Sequence, residues 1–206
     1  MKLLFFVDDF SLGGKERRLL ELMKELKLRP DVQFELAVMN KSIQYKEVFD
    51  LNIKIHYIIR DTKKDVKVFH KVYKLCKDFK PDLVHCWDSM TAVYLLPAVK
   101  LLKIKMVNGM IVDAPARQNI RNKIWARGKF TFPFSSIIIG NSKAGLDAYR
   151  APKKKSICIY NGFNFRRVNN IVASEQMREQ LEIETKYIVG MVASFSVYKD
   201  YPTYFS

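Results

Sequence analysis

Apolar and polar positions follow two different periods along this chain. Short apolar runs recur from the amino terminus onward, and most of them contain no alternating polar positions. Such runs are typical of strands in a parallel sheet that is buried on both faces. The pattern predicts eight strands: Leu3–Val7, Phe34–Val38, Lys54–Ile58, Leu83–Cys86, Lys105–Val107, Ile137–Gly140, Ile157–Tyr160 and Tyr187–Val192.

Between these runs, apolar residues recur at steps of three and four positions, which predicts amphipathic helices. Two segments show the spacing clearly: Leu19, Leu22, Met23 and Leu26 in the first, and Val68, Val72, Leu75 and Phe79 in the second. Strand and helix alternate to the end of the chain. This order predicts an α/β fold with a doubly wound, mostly parallel sheet and right-handed crossovers.

The pattern changes near the carboxyl end. Residues 162–175 are polar and turn-rich, a helical segment follows, and a new apolar run begins at Tyr187. A single strand cannot bury both of its faces without partners. We therefore expect residues 1–165 to form one domain, and residues 166–206 to be a linker and the first strand and helix of a truncated second domain.

Composition adds a strong positive charge. The chain has 206 residues with 49% hydrophobic side chains, which is enough for a sizeable core, and 36 Lys and Arg against 21 Asp and Glu give a net charge of +15. A surface of this charge attracts phosphate-bearing molecules, nucleic acid or acidic lipid headgroups. Charge alone does not choose among them.

The cysteines and the amino terminus indicate an intracellular protein. Cys76, Cys86 and Cys158 are scattered and form no C-x-x-C pair, which argues against a disulfide framework or a zinc site. Only five apolar residues follow Lys2, too few for a signal sequence or a membrane-spanning helix. We expect a cytoplasmic location, with peripheral contact to the inner face of the membrane as the only membrane association.

A paired glycine stands where the first predicted strand hands over to a helix. Gly13 and Gly14 would let backbone N–H groups approach a phosphate at the positive end of that helix, with Lys15 adding charge. Glu16 in the first turn would complement the helix dipole or hold a sugar hydroxyl. The alternative is a plain turn in which one glycine needs a positive φ. The chain contains neither G-x-G-x-x-G nor a P-loop sequence, so hydride transfer and phosphate hydrolysis lose support.

Five segments carry a family resemblance in their order and distances: SLGGKERRLLELMKEL, KPDLVHCWD, IIIGNSKAGLDAY, SICIYNGFN and VGMVASFSVYKDY. Together they resemble the N-terminal half and the first second-domain strand of a GT-B glycosyltransferase of the large retaining family 4. The resemblance implies two Rossmann-like domains facing each other across a cleft. It implies a nucleoside diphosphate sugar as donor substrate, a carbohydrate or lipid-linked acceptor, and no metal or other cofactor.

The resemblance also assigns residues. Gly13, Gly14 and Glu16 match the family's G-G-x-E turn near the donor phosphates and the acceptor, and Lys199 matches the lysine that binds the donor diphosphate. Asn108 stands where many relatives carry a histidine. An amide there can hydrogen-bond a sugar hydroxyl but cannot shuttle a proton, so Glu16 and Asn108 are the expected groups for orienting acceptor or sugar.

Other positions depart from the family pattern. Ser194 replaces an arginine, and Trp87 replaces the second histidine of the P-D-apolar-apolar-H-x-H signature. His85, the first histidine, ends a buried run, and we favour a structural role for it. Ser142 follows a strand end, where a serine is first expected to cap the next helix.

Residues 117–134 combine basic and apolar side chains. Ile120, Ile124 and Trp125 lie among arginines and lysines and are followed by phenylalanines, a composition that fits an acidic membrane surface. The alternative is a core-facing helix with a solvated basic face.

Two competing functions stay open at this point. One is a nucleic-acid-binding module, although the lysines are spread over every helix and no nucleic-acid-binding motif is visible, so no nucleic acid is expected. The other is a non-catalytic carbohydrate-binding relative.

Overall fold

The first unit of the chain is built around one parallel sheet. The computed structural model describes residues 1–62, 65–116, 118–169, 171–193, 195 and 199–205. Its strands are β1 (Lys2–Val7), β2 (Gln33–Val38), β3 (Ile55–Tyr57), β4 (Leu83–Cys86), β5 (Lys105–Ile111), β6 (Ile137–Gly140) and β7 (Ser156–Cys158). Every pairing is parallel, and the strand order is β3-β2-β1-β4-β5-β6-β7. The predicted doubly wound α/β sheet is confirmed.

Helices connect the strands. They are α1 (Gly14–Lys27), α2 (Lys67–Phe79), α3 (Ser89–Leu101), α4 (Lys123–Thr131), α5 (Lys143–Ala148), α6 (Ser174–Gln180) and α7 (Tyr201–Phe205). Short 3₁₀ turns cover Lys46–Leu51, Phe132–Phe134, Lys153–Lys155 and Phe165–Val168. None of the helices in the part of the chain that the structure describes is long and apolar enough to cross a membrane.

The unbroken apolar runs are explained by burial on both faces of the sheet. In β1, Leu4 and Phe6 pack in one core cluster with residues of α2 and α3, whereas Phe5 and Val7 pack in another with residues of α1. Successive strand residues point to opposite faces, so a strand covered on both sides needs apolar residues throughout.

Some predicted boundaries are wrong. No strand forms over residues 187–192, and Val189 is 82% exposed. A strand needs a neighbour for its backbone hydrogen bonds, and nothing pairs with this segment among the residues described. β5 runs four residues further than predicted, to Ile111, with an irregular register between Asn108 and Ile111. That extension places Asn108 inside the sheet.

Internal contacts divide the chain into two units, Met1–Phe163 and Asn164–Ser206. The first unit contains the sheet and α1 to α5. The second contains α6 and α7. That the second unit begins a donor-binding domain stays a prediction.

Candidate functional site

The glycine turn lies at the carboxyl end of β1, where parallel sheets bind their ligands. Gly13 precedes α1 with extended φ of −134° and ψ of 161°. No glycine in the described residues has a positive φ, so the plain-turn explanation is wrong. The position of the Glu16 side chain explains instead why residue 13 is a glycine. A Cβ on Gly13 would lie 2.2 Å from Glu16 Oε2, far inside contact distance.

The first turn of α1 presents free hydrogen-bond donors. The backbone N–H groups of Gly14, Lys15 and Glu16 have no acceptor among the described residues, and no side chain caps the helix. A Cβ on Gly14 would meet nothing within 4 Å. Free N–H groups and open space at the positive end of a 14-residue helix suit an oxygen-bearing ligand.

A neighbouring loop holds this turn in place. Leu12 N–H donates to Gln44 Oε1 over 2.8 Å, and the Tyr45 hydroxyl donates to the carbonyl oxygen of Gly13 over 3.2 Å. Phe10 forms a parallel bridge with Ile43. Contacts with Ile43, Gln44 and Tyr45 therefore hold the turn in place, and its conformation does not depend on a positive φ at a glycine.

Lys15 does not offer a free positive charge. Its ammonium donates to Asp8 Oδ1 over 2.8 Å and to Asp88, and it lies 3.1 Å from Glu16 Oε1. Asp88 Oδ2 in turn accepts from the backbone N–H of Asp8 at 2.8 Å. The predicted phosphate contact of Lys15 needs correction, because this side chain ties the ends of β1 and β4 to the first turn of α1.

The ion cluster around Lys15 holds three carboxylates and one ammonium group. Burial raises the pKa of the Asp88 carboxyl to about 7, although the Lys15 ammonium acts to lower it. Burial also opposes the charge on Lys15, but Asp88 and Asp8 outweigh it and hold the Lys15 pKa above its usual value. Three carboxylates around one ammonium disfavour an additional diphosphate unless cations from elsewhere neutralise it.

Asn108 is a core residue, which argues against its predicted contact with sugar. Its side chain is fully buried, and Nδ2 donates to Thr131 Oγ1 at 3.1 Å and Ser135 Oγ at 3.2 Å. Oδ1 accepts from the backbone N–H of Met110 at 3.3 Å. The amide therefore joins β5 to the end of α4 and to the segment after it, and both of its polar atoms are engaged inside the core.

We expect Asn108→Ala to lower the free energy of unfolding by about 2–3 kcal/mol, because it leaves buried polar groups unpaired. Urea denaturation measures the change. Asn119→Ala is the matched control, since the one hydrogen bond of that exposed side chain within the described residues is accepted from Arg121 N–H at 3.0 Å. An unchanged unfolding free energy in Asn108→Ala would contradict the structural role.

His85 lies in an aromatic stack. Its ring centroid is 5.6 Å from Phe5 and 4.9 Å from Trp87, and burial lowers its pKa to about 3. A Cβ on Gly109 would lie 2.9 Å from His85 Nε2, so the glycine makes room for the ring. A neutral, tightly packed imidazole fits the structural role that we favoured. Ser142 is an N-cap as predicted, since its Oγ accepts from Gly145 N–H at 3.0 Å.

Buried polar atoms without partners gather at the carboxyl ends of the strands. Trp87 Nε1, Asp9 Oδ1 and Asn141 Oδ1 have no hydrogen bond among the described residues, and each residue follows β4, β1 or β6 by one or two positions. Trp87 is only 8% exposed, and the Arg18 guanidinium lies 5.7 Å above its ring. Asp9 and Asn141 were missed by sequence analysis, although their positions directly after predicted strands could have indicated them.

The remaining predicted residues lie elsewhere. Lys199 is an exposed residue of the second unit, just before α7. Ser194 and Arg117 lie outside the described residues. In the predicted membrane segment, Trp125 is buried and its Nε1 donates to the Ala148 carbonyl oxygen over 3.0 Å, whereas Ile120 is 81% and Phe130 59% exposed.

A model of the family described as Glycosyltransferase Family 4 matches residues 12–167. The chain belongs to this family. The match includes the glycine turn, Trp87 and the ends of β4 to β6. No curated protein matches the chain.

Solved structures share the fold. Anabaena HepE in complex with UDP and glucose is 17% identical with a TM-score of 0.66, covering 88% of this chain and 50% of that one. A Rickettsia africae glycosyltransferase is 19% identical with a TM-score of 0.67, covering 90% and 50%. The UDP-GlcNAc 2-epimerase of Neisseria meningitidis is 15% identical with a TM-score of 0.58, covering 90% and 54%. The chain thus spans about half the length of these structures, and the GT-B fold is shared by enzymes of more than one activity.

Proposed function

We propose that the full-length protein transfers a sugar from a nucleoside diphosphate sugar to a carbohydrate or lipid-linked acceptor. The match of residues 12–167 to the glycosyltransferase family carries this proposal. It is supported by the UDP and glucose bound to Anabaena HepE, a protein of the same fold.

The excess of carboxylates around Lys15 favours a division of roles. The free N–H groups of α1 can donate to hydroxyl oxygens, and the Glu16 carboxylate can accept from hydroxyl groups. Both therefore suit the hydroxyl groups of the acceptor or the transferred sugar, which are neutral and bring no further charge to the cluster. Lys199 would neutralise the donor diphosphate as it leaves. No protein nucleophile is required, because a donor phosphate oxygen can take the acceptor's proton in a reaction with retention.

Lys199→Ala in the full-length protein should lower turnover about tenfold or more, the cost of one charged hydrogen bond to the diphosphate. Stability should change little, since Lys199 is exposed. Initial rates with a panel of nucleoside diphosphate sugars measure the effect. The control is Lys186→Ala, also exposed and in the same unit. Equal turnover in wild type and Lys199→Ala would refute the assignment, and binding of donor without any transfer would favour a non-catalytic relative.

We also propose peripheral membrane contact through residues 118–134. Exposed apolar side chains at Ile120, Ile124 and Phe130 accompany the basic residues Arg121 and Lys123. An apolar surface with a basic border binds to anionic bilayers in an interfacial position. This contact would bring a lipid-linked acceptor to the enzyme.

The double variant Ile120→Ser/Phe130→Ser should bind anionic vesicles about tenfold or more weakly, because each side chain loses about 1.5–3 kcal/mol of burial. Cosedimentation with phosphatidylglycerol vesicles measures the change. Leu28→Ser/Leu101→Ser removes two exposed apolar side chains outside this segment and serves as the control. Equal binding by both double variants would place the contact elsewhere.

A further inference from the structure

A cavity of about 510 Å³ lies at the amino end of the sheet, opposite the glycine turn. Its walls include Lys2 at the start of β1, Glu35 near the start of β2, Lys54 just before β3, and Phe79 at the end of α2. This volume is within the range of small-molecule sites. The cavity borders the β3 edge, whereas residues 118–134 lie near β5 and β6.

Positive charge dominates the lining. Four lysines contribute to it, against the carboxylates of Glu35 and Asp78. Glu35 is already engaged, since its Oε2 lies 2.5 Å from His56 Nε2 and both side chains are mostly buried beneath α2. This mostly buried pair gives the cavity a polar floor of fixed geometry.

The lysines divide by the partners they have. Lys2 Nζ donates to the Phe79 carbonyl oxygen at 3.5 Å, and Lys71 Nζ donates to that of Ile59 at 3.0 Å. These two therefore satisfy backbone carbonyls, and Lys2 does so at the negative end of α2. In the described part of the chain, the ammonium groups of Lys54 and Lys74 have neither a hydrogen-bond nor an ion-pair partner. Like-charged groups facing one cavity repel each other unless an anion joins them.

We propose that this cavity binds a phosphate group, held chiefly by Lys54 and Lys74 and carried by a soluble phosphate ester or a phospholipid headgroup. The site differs from the one at the glycine turn in position and in charge. Parallel sheets bind reacting ligands beyond the carboxyl ends of their strands, and this cavity is at the other end. Around the glycine turn carboxylates outnumber ammonium groups, whereas lysines outnumber carboxylates here.

Isothermal titration with inorganic pyrophosphate at fixed ionic strength tests the soluble form. Lys54→Ala/Lys74→Ala should weaken binding at least about tenfold, as expected for two lost charged contacts. Lys153→Ala/Lys154→Ala removes the same charge from an exposed turn and should bind like wild type. Gly14→Glu places a carboxylate at the α1 turn, so retained binding in that variant separates the cavity from the site at the glycine turn.

Cosedimentation with phosphatidylcholine vesicles containing phosphatidic acid tests the headgroup form, using Ile120→Ser/Phe130→Ser as the parent protein. If the Lys54/Lys74 variant loses binding and the Lys153/Lys154 variant does not, the cavity is the site. Loss of pyrophosphate binding then indicates a soluble phosphate ester, and loss of vesicle binding indicates a phospholipid headgroup. Absence of pyrophosphate binding in the wild type, together with absence of vesicle binding in the Ile120→Ser/Phe130→Ser parent, would overturn the proposal. So would equal losses in the two lysine variants, or loss in Gly14→Glu with binding retained in the Lys54/Lys74 variant.

Discussion

Replacing Lys15 with methionine is expected to lower the free energy of unfolding by about 3–5 kcal/mol, the usual cost of removing one partner from a buried ion pair. The ammonium contacts Asp8, Asp88 and Glu16, and without it the three carboxylates face one another. Methionine keeps most of the side-chain length, so lost charge rather than lost packing dominates. Urea denaturation of the 206-residue chain measures the change.

The loss should depend on pH. Burial raises the folded pKa of Asp88 to about 7 from an ordinary 3.8, so the folded state keeps a proton that the unfolded state releases. Such a group contributes less to stability as pH rises through the folded pKa. Lys15→Met removes the attraction that lowers the pKa of the Asp88 carboxyl, so in the variant this pKa lies above about 7. The difference in the free energy of unfolding between wild type and Lys15→Met should therefore become smaller as pH falls from about 9 towards 7.

Lys24→Met is the matched control, because its contacts with Glu21 and Glu47 at 3.6 and 3.4 Å are partly exposed to solvent. Such surface pairs contribute at most about 1 kcal/mol. If Lys15→Met cost no more than Lys24→Met, or its cost were independent of pH, the cluster would not hold the strand ends together.

The sheet could be predicted because each of its strands carries its own signal. β1 and β4 are buried on both faces, and their apolar runs follow directly from that. The same argument fails for residues 187–192. That segment has the apolar run but no neighbouring strand among the described residues, and pairing is a property of two segments rather than one.

The site was predicted only in part, because tertiary contacts decide what a polar residue does. The sequence placed Asn108 just after a strand, where its amide would be open to a sugar. In the structure β5 continues to Ile111, and the Asn108 amide donates to Thr131 and Ser135 instead. The contact between Lys15 and Asp88 spans 73 positions in sequence, and no local pattern records such a pair. The glycine turn was correctly located at a helix start, but the reason for Gly13 lies in the folded position of Glu16.

Gly13→Ala in the full-length protein is expected to lower turnover about a hundredfold while lowering the free energy of unfolding by no more than about 1 kcal/mol. The new methyl carbon would lie 2.2 Å from Glu16 Oε2, and this carboxylate can move because it ends a flexible side chain. The extended backbone of Gly13 accepts alanine without strain. The substitution therefore displaces the group proposed to orient the acceptor and leaves the fold intact.

Gly162→Ala is the control, since a Cβ there would meet nothing within 4 Å and the residue lies outside every helix and strand. Turnover and unfolding are measured on the same preparations, so a folding defect is separated from a chemical one. Glu16→Gln keeps the side-chain shape and tests the carboxylate itself. If Gly13→Ala kept wild-type turnover, the position of Glu16 would not matter to transfer, and its proposed role would have to pass to another group at the strand ends, such as Asp9 or Trp87, whose buried polar atoms have no partner among the described residues.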